Sequence, residues 1–198
     1  DQTAFLAGKS SLQETELALL GDVSGKRILH LQCHFGQDTI SLARMGASTV
    51  GADISDKAID KARESASITG ADATFVCCDL YDLPQNLEGQ FDIVFTSYGT
   101  IGWLPDLDKW ASVITHFLKP GGKFVFVEFH PVVWMFDDDF QKVGYRYFKS
   151  EPIVETASGT YADRDAEIKT TSVSWNHGMS EVITSLLKQG IHLQDLQE

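Results

Sequence analysis

The sequence predicts an α/β fold: a doubly wound, mostly parallel sheet with helices on both faces and an inserted lid after the fifth strand. Three observations predict it. From Lys26 to His130, short apolar runs alternate with stretches whose apolar residues recur at helical spacing, the rhythm of a parallel sheet with right-handed crossovers. Lys26 to Ser55, KRILHLQCHFGQDTISLARMGASTVGADIS, reads as strand, tight loop, helix, strand and then an acid. The rhythm fails from Pro131 to Asn176, and an insertion of that size in a compact domain is more often a lid than a plain connector.

Taken in order, Ser10 or Ser11 is placed to cap a helix in which Leu12, Thr15, Glu16, Leu17 and Leu20 lead into Gly21. Asp22 to Gly25 turns the chain into the first strand, whose Ile28, Leu29 and Leu31 suit burial on both faces. The run breaks at Gln32 to Gly36. Ile40, Leu42, Ala43 and Met45 then recur as on a helix, with Gly46 as its C′ residue. Ser48 to Ala52 is the second strand, and Asp53 stands at its carboxyl end. Ser55 caps the next helix, with Asp56 in its first turn, Ala58, Ile59, Ala62 and Ala66 on one face, and Gly70 at its end. Ala73 to Cys78 is a third strand closed by Asp79, and Phe91 to Thr96 a fourth. Pro105 precedes a helix with a broad apolar stripe of Leu107, Trp110, Ala111, Ile114, Phe117 and Leu118. Pro120, Gly121 and Gly122 turn into the fifth strand, Lys123 to Phe129. The insertion that follows is aromatic and acidic, and within it Glu167 to Trp175 partly alternates like an antiparallel strand. Ser180 caps a last helix carrying Val182, Ile183, Leu186 and Leu187; Gly190 stops it, and Ile191 to Leu196 reads as a strand.

At 198 residues and 21.9 kDa the chain is expected to form one domain. Within it, 1–25 is a helical lead-in, 26–130 the ligand-binding core, 131–176 the insertion and 177–198 the last helix and strand. A net charge of −12 and a pI of about 4.8 repel nucleic acid and anionic membranes, and the sixteen Lys and Arg residues form no patch. No apolar stretch approaches a membrane span and no signal-peptide pattern opens the chain. Three cysteines, Cys33, Cys77 and Cys78, are an odd count without framework spacing, which points to a reducing compartment, the cytoplasm. Oligomeric state is not legible.

In such a sheet, ligands bind outside the carboxyl ends of the strands, and an acid about 20 residues past the glycine loop holds a ribose. Asp53 lies 17 positions after Gly36, which makes this a nucleoside-binding core. A dinucleotide fold needs glycines in the first loop so that the backbone can approach a pyrophosphate. Here the loop is Gln32-Cys33-His34-Phe35-Gly36, and only Gly36 fits. Gln32 and His34 would crowd a diphosphate and Asp38 would repel it. A nucleoside without phosphates, such as S-adenosylmethionine, makes no such demand.

On these residues the chain resembles a class I S-adenosylmethionine-dependent methyltransferase, of the broad type that includes the ubiquinone and menaquinone biosynthetic enzymes. The resemblance covers Leu17 to Phe129, and Ser180 to Leu196 more loosely. The family's first motif, Asp-x-Gly-x-Gly-x-Gly, falls on His30, Gln32, His34 and Gly36, of which the last alone keeps the family residue. LHLQCHFGQDT is similar to the variant loop of a bacterial branch. What the resemblance implies is a Rossmann-like fold, S-adenosyl-L-methionine as cofactor, and methyl transfer to a small-molecule acceptor. It also implies cofactor contacts from His30, Gln32, His34 and Gly36. Asp53 would take both ribose hydroxyls, with Ile54 beside the adenine. Asp79 would meet the adenine amino group and the Leu80 backbone the ring. Within FDIVFTSYGTIGW, Ser97, between Thr96 and Tyr98, would border the methionine part; LKPGGKFVFVE is similar to the segment that follows the motifs. The family's sheet ends in a hairpin whose last strand inserts antiparallel between the fifth and sixth. No seventh strand is legible past Leu196, so either it lies outside this sequence or part of Glu151 to Trp175 fills the gap.

Plainer readings stand beside these. Asp53 can cap the helix that starts near Ser55, and Asp79 can be a turn acid ahead of Asp82 and Pro84. His30 either replaces the family acid or is a satisfied histidine at a strand end. His130 and Tyr98, directly after the fifth and fourth strands, are the candidate catalytic residues, since a general base there is worth about 10²–10⁴-fold. His130 can equally only shape the turn into Pro131. The aromatics Trp134, Phe136, Tyr145, Tyr147 and Trp175 line a pocket or form the lid's own core. His30, Cys33, His34, Cys77 and Cys78 match no paired-ligand spacing, so no metal is expected. The sulfonium activates the methyl group, so the protein needs chiefly alignment, worth up to about 7–11 kcal/mol. The rival reading is a non-catalytic nucleoside-binding or interaction protein on the same fold; the loop disfavours a nicotinamide oxidoreductase.

Overall fold

Arg27–Leu31 (β1) is buried from its second residue onward, because parallel strands flank it on both sides. The computed structural model describes residues 2–137, 139–158 and 169–198. The chain divides into two units, Asp1–Tyr98 with Lys109–Glu128, and Gly99–Asp108 with Phe129–Glu198. In the first, β1 is joined by Ser48–Asp53 (β2), Ala73–Cys77 (β3), Phe91–Ser97 (β4) and Leu118–Val127 (β5). The order is β3-β2-β1-β4-β5 with every pairing parallel. His30 lies opposite Gly51 on one side and Phe95 on the other, and Asp53 opposite Cys77. That register brings the carboxyl ends of the inner strands to one edge, where this topology binds ligands.

Helices cover both faces, and two separate apolar clusters record it. One gathers Leu12, Leu20, Ile28, Leu42, Ile93, Phe95 and Val125; the other gathers Phe5, Cys33, Ile40, Ile59, Ala62 and Phe75. The helices are Gln2–Leu6 (α1), Glu14–Leu20 (α2), Gln37–Arg44 (α3), Asp56–Thr69 (α4), Leu83–Asn86 (α5) and Leu107–Phe117 (α6). Of the stripe expected on α6, Leu107, Trp110, Ala111, Ile114 and Phe117 are buried, whereas Leu118 is half-buried and opens β5; Trp110 meets the rings of Phe124 and Phe126 edge-on at 5.6 and 5.5 Å. Ser55 caps α4, its hydroxyl accepting from Ala58 N, and Gly70 ends it in the left-handed conformation.

Several boundaries differ from expectation. Neither Ser10 nor Ser11 caps α2; Gln13 does, its N–H donating to Glu16 Oε2 at 3.0 Å. Ser11 is engaged elsewhere, donating to Asp38 Oδ1 at 2.5 Å. The sequence reading missed α1, whose Phe5 lies under the Arg44 guanidinium at 4.7 Å while Arg44 Nη1 donates to Phe5 O. Strand β5 starts before Pro120 rather than after Gly122: Leu118 pairs with Phe91, the register slips, and Lys123 then pairs with Ile93. It ends at Val127, two residues short of Phe129. Strand β3 stops at Cys77, and β4 reaches Ser97.

In the second unit, His130 leads a 3-10 turn over Pro131–Met135. Ile153–Ser158 (β6) pairs antiparallel with Lys169–Ser174 (β7), bearing out the alternation over the part of Glu167 to Trp175 that is described; Glu167 itself lies outside the described residues. This hairpin is a sheet of its own. Among the described residues, none of the stretch from Glu151 to Trp175 pairs with β5, and residues 159–168 of that option lie outside them. The last helix, Met179–Lys188 (α7), is capped by Gly178 rather than Ser180. Ile191 to Leu196 forms no strand: its side chains are largely exposed, and an extended segment persists as a strand only with a paired neighbour. Asn176 and His177 tie this unit together. Asn176 Nδ2 donates to the carbonyls of Trp134 and Arg146, and His177 Nε2 to Leu104 O at 2.8 Å.

Candidate functional site

The loop after β1 is built on an unusual backbone. Gln32, His34 and Gly36 all have positive φ, 54°, 48° and 69°. A non-glycine residue in that region costs roughly 1–2 kcal/mol, so the fold holds two strained residues at one ligand-facing turn. Its fastenings are visible. Cys33 N donates to Ala52 O at 3.0 Å, Gly36 N to Cys33 O at 2.9 Å, and His34 N to Asp53 Oδ2 at 2.8 Å. The His34 and Phe35 rings lie 3.8 Å apart. At Gly36 only glycine fits, since a Cβ would lie 2.5 Å from Phe75 Cε1 and 2.8 Å from the Ala62 Cβ. Cys33 is buried, and burial pushes its thiol pKa up.

Asp53 ends β2 with both carboxylate oxygens in use: Oδ2 takes His34 N–H and Oδ1 takes Ser55 N–H at 2.9 Å. The plainer reading is therefore corrected in one respect: Ser55, not Asp53, caps α4, and Asp53 holds the Ser55 N–H ahead of it. A carboxylate has about four lone-pair sites, so each oxygen keeps a second direction for one hydroxyl of a vicinal pair. Ile54, beside it, is 68% exposed, an apolar surface where an aromatic base can lie. Cys78 N donates to Asp53 O at 3.0 Å, fastening the end of β3 to the end of β2. Asp79 follows, its Oδ1 accepting from Tyr81 N at 2.8 Å at the head of a 3-10 turn, Leu80–Asp82. Leu80 turns its side chain inward and is buried.

His30 is buried against Phe95, with ring centroids 4.8 Å apart, and its Nδ1 shares a hydrogen bond with Thr39 Oγ1 at 2.8 Å. Its Nε2 is buried with no partner among the described residues. Burial lowers its pKa, against a smaller upward pull from Asp38 and Asp53. The ring is therefore a neutral imidazole where the family motif has an acid.

At the end of β4, Ser97 Oγ donates to Asp38 Oδ2 at 3.2 Å. Tyr98 has a φ of 35°, and its N–H donates to Val127 O at 2.8 Å. Burial, the Glu16 charge and hydrogen bond, and the Asp38 charge all push the phenol pKa up. The burial of Glu16 and the hydrogen bonds of Asp38 with Ser11 and Ser97 escaped the sequence reading. Glu16 sits in an apolar helix where nothing in the pattern marks it as buried, and Asp38 was weighed only as a charge that repels phosphate.

His130 lies in the second unit. Its Nδ1 accepts from Val132 N at 3.2 Å, which assigns the proton to Nε2, and Nε2 donates to Glu198 Oε1 at 2.7 Å. Both nitrogens are engaged, so the residue heads its 3-10 turn in the way the plainer reading described. Among the described residues, no group of three or more His, Cys, Asp or Glu is placed to hold a metal ion. No helix there is long and apolar enough to cross a membrane.

The fold and this edge, with an acid after each of two strands beside a glycine-type turn, define a nucleoside-binding α/β protein. Residues 28–122 match the methyltransferase domain family. An uncharacterized methyltransferase of Synechocystis sp. is 37% identical over 136 residues, 68% of this chain and 62% of that protein. The ubiquinone biosynthesis O-methyltransferase of Shewanella pealeana is 29% identical over 54% of this chain and 44% of its own length. The chain thus spans less than two thirds of these relatives. Among solved structures, an S-adenosylmethionine-dependent methyltransferase from Mesorhizobium loti superposes with a TM-score of 0.64 at 21% identity, over 93% of this chain and 82% of that one. One from Clostridium acetobutylicum superposes with a TM-score of 0.66 at 17% identity, over 91% and 81%. At such identities these show the fold. Residues 28–122 thus match the methyltransferase domain family, and the fold is the one these S-adenosylmethionine-dependent methyltransferases share.

Proposed function

We propose that this protein transfers the methyl group of S-adenosyl-L-methionine to a small-molecule acceptor through oxygen. The observation that supports this best is the loop that keeps a glycine-type backbone at Gln32, His34 and Gly36 and is fastened to Asp53. Local fit to the cofactor is good: an acid with directions to spare, an exposed apolar neighbour in Ile54, and a buried, unpartnered His30 Nε2 at the strand end. When bound, the cofactor supplies an activated methyl on a sulfonium. Asp53 would hold the ribose hydroxyls, Asp79 the adenine amino group, and the Ile54 side chain and Leu80 backbone the ring. The backbone from His30 to Gly36, with Ser97, would hold the amino-acid part. Tyr98, at the end of β4, would meet the acceptor. Oxygen as the accepting atom is supported by the relatives named ubiquinone biosynthesis O-methyltransferase. The net charge of −12 argues against a nucleic-acid acceptor.

Calorimetry with S-adenosylmethionine and S-adenosylhomocysteine tests the reading. Binding of both, weakened by Asp53→Asn, is expected. Absence of heat with either would sink it and leave the non-catalytic rival.

A further inference from the structure

Asp38 stands in the first turn of α3, and the hydrogen bonds it accepts reach across the ligand-binding edge. Ser97, the last residue of β4, donates to its Oδ2 at 3.2 Å. Ser11, from the segment between α1 and α2, donates to its Oδ1 at 2.5 Å and is itself seated on Ser41, whose Oγ accepts from Ser11 N at 3.2 Å. In the order β3-β2-β1-β4-β5 the chain reverses direction of growth between β1 and β4, and in such sheets the ligand crevice opens at that reversal. Helix α3 follows β1, so the bond from Ser97 to Asp38 joins the two sides of the crevice.

The carboxylate is half-buried, yet among the described residues it forms no ion pair with a Lys, Arg or His. Its donors are two neutral hydroxyls. The positive end of the α3 dipole favours the ionised form there but occupies none of its lone pairs, and of about four such directions the serines use two. A negative charge taken partly out of water is favourable only where something meets it. A metal ion does not suit the place, since no group of three or more His, Cys, Asp or Glu among the described residues is placed to hold one. An ammonium does: it is all donor and no acceptor, and a carboxylate flanked by two serine oxygens is all acceptor toward it. His30, buried and neutral at the end of β1, supplies no such charge.

The register supplies the distance. His30 lies opposite Gly51 and Phe95, so Asp53 and Ser97, each two residues further along, stand level on either side of β1. Two strand spacings separate them, about 10 Å. In an extended S-adenosylmethionine, the reach from the ribose hydroxyls to the ammonium is comparable.

We propose that Asp38 receives the ammonium of the S-adenosylmethionine amino-acid part, with Ser11 and Ser97 holding the carboxylate in place. The proposal rests on the methyl-transfer reading above and extends it from the adenosine half of the cofactor to selection of the amino-acid half by charge.

The test compares S-adenosylhomocysteine, which carries the ammonium, with 5′-methylthioadenosine, which lacks the whole amino-acid part. By titration calorimetry, Asp38→Asn is expected to bind S-adenosylhomocysteine about ten- to hundred-fold more weakly, the scale of a lost hydrogen bond to a charged group. Its affinity for 5′-methylthioadenosine should change by less than about two-fold. Asp53→Asn should weaken both ligands alike. Ser11→Ala removes the fastening of the N-terminal segment but leaves the charge, and should weaken S-adenosylhomocysteine by no more than about five-fold, as for a neutral hydrogen bond. Where heats are small, the ligand-induced rise in melting temperature gives the same comparison. Equal losses on both ligands in Asp38→Asn, an unchanged affinity for S-adenosylhomocysteine, or a Ser11→Ala loss as large as that of Asp38→Asn would overturn the assignment. So would a wild-type protein that binds S-adenosylhomocysteine but gives no response to 5′-methylthioadenosine, because the adenosine half would then not be the anchor from which Asp38 is placed. Absence of S-adenosylhomocysteine binding to the wild type is a separate result, and it sinks the methyl-transfer reading itself.

Discussion

Gly36→Ala and His34→Gly should move stability in opposite directions although they sit two residues apart in one loop. At Gly36 the new methyl would lie 2.5 and 2.7 Å from two Phe75 ring carbons and 2.8 Å from the Ala62 Cβ, at a φ of 69°. The left-handed backbone alone costs about 1–2 kcal/mol, and forcing Phe75 out of a packed cluster adds about 1–3 kcal/mol. The sum of about 2–5 kcal/mol corresponds to a fall of roughly 4–20 °C in the melting temperature for a chain of this size. At His34, with a φ of 48°, glycine relieves about 1–2 kcal/mol and returns about 0.5–1 kcal/mol as added freedom of the unfolded chain. A gain of about 0–1.5 kcal/mol should therefore remain, less whatever the contact with Phe35 contributes. Thermal unfolding followed by circular dichroism at 222 nm measures both. If Gly36→Ala melts within a degree of the wild type, Phe75 is not packed over the loop as described. If His34→Gly lowers the melting temperature by several degrees, the loop is held by its side chains and not strained by them.

Asp53→Asn keeps the size of the side chain but replaces one acceptor oxygen by a donor, facing either His34 N–H or Ser55 N–H; affinity for S-adenosylhomocysteine should fall about ten- to hundred-fold, at the scale of a lost charged hydrogen bond, as read by calorimetry. His30 has a pKa held below its ordinary 6.5, so the unfolded chain binds the extra proton first. Its contribution to stability is present above that value and is lost as pH falls through the lowered one. The slope of urea-unfolding free energy between pH 5 and 7, with both limits taken as roughly bracketing the ordinary histidine range, should flatten in His30→Gln. His177→Leu strands the buried Leu104 carbonyl and should cost about 1–3 kcal/mol, seen as faster amide exchange around Leu104 and α7.

Much of the architecture could be read from periodicity. The run Ile28 to Leu31, the Ser55 cap and the α6 stripe each name an element because one physical rule acts on them locally. What escaped depends on distant partners. Ser11 looks like a cap, but Asp38, 27 residues on, takes its hydroxyl. Ile191 to Leu196 alternates well enough for a strand, yet pairing decides strands and it has none among the described residues. Site residues divided in the same way. The positions of Asp53 and Asp79 were legible because each acid closes an apolar run. The burial of Glu16 was not, because nothing in its local pattern sets it apart from an exposed helix acid. Gln32 and His34 seemed to break the glycine pattern; the turn they form keeps its shape regardless.

That turn has a consequence for recognising distant relatives. A fingerprint written in amino-acid letters rejects Gln-x-His-x-Gly, while one written in torsion angles accepts it at all three places. Chains that lack the expected letters are better sorted by whether a neighbouring carboxylate clasps the loop's amide, as Asp53 does here, than by how many glycines they retain.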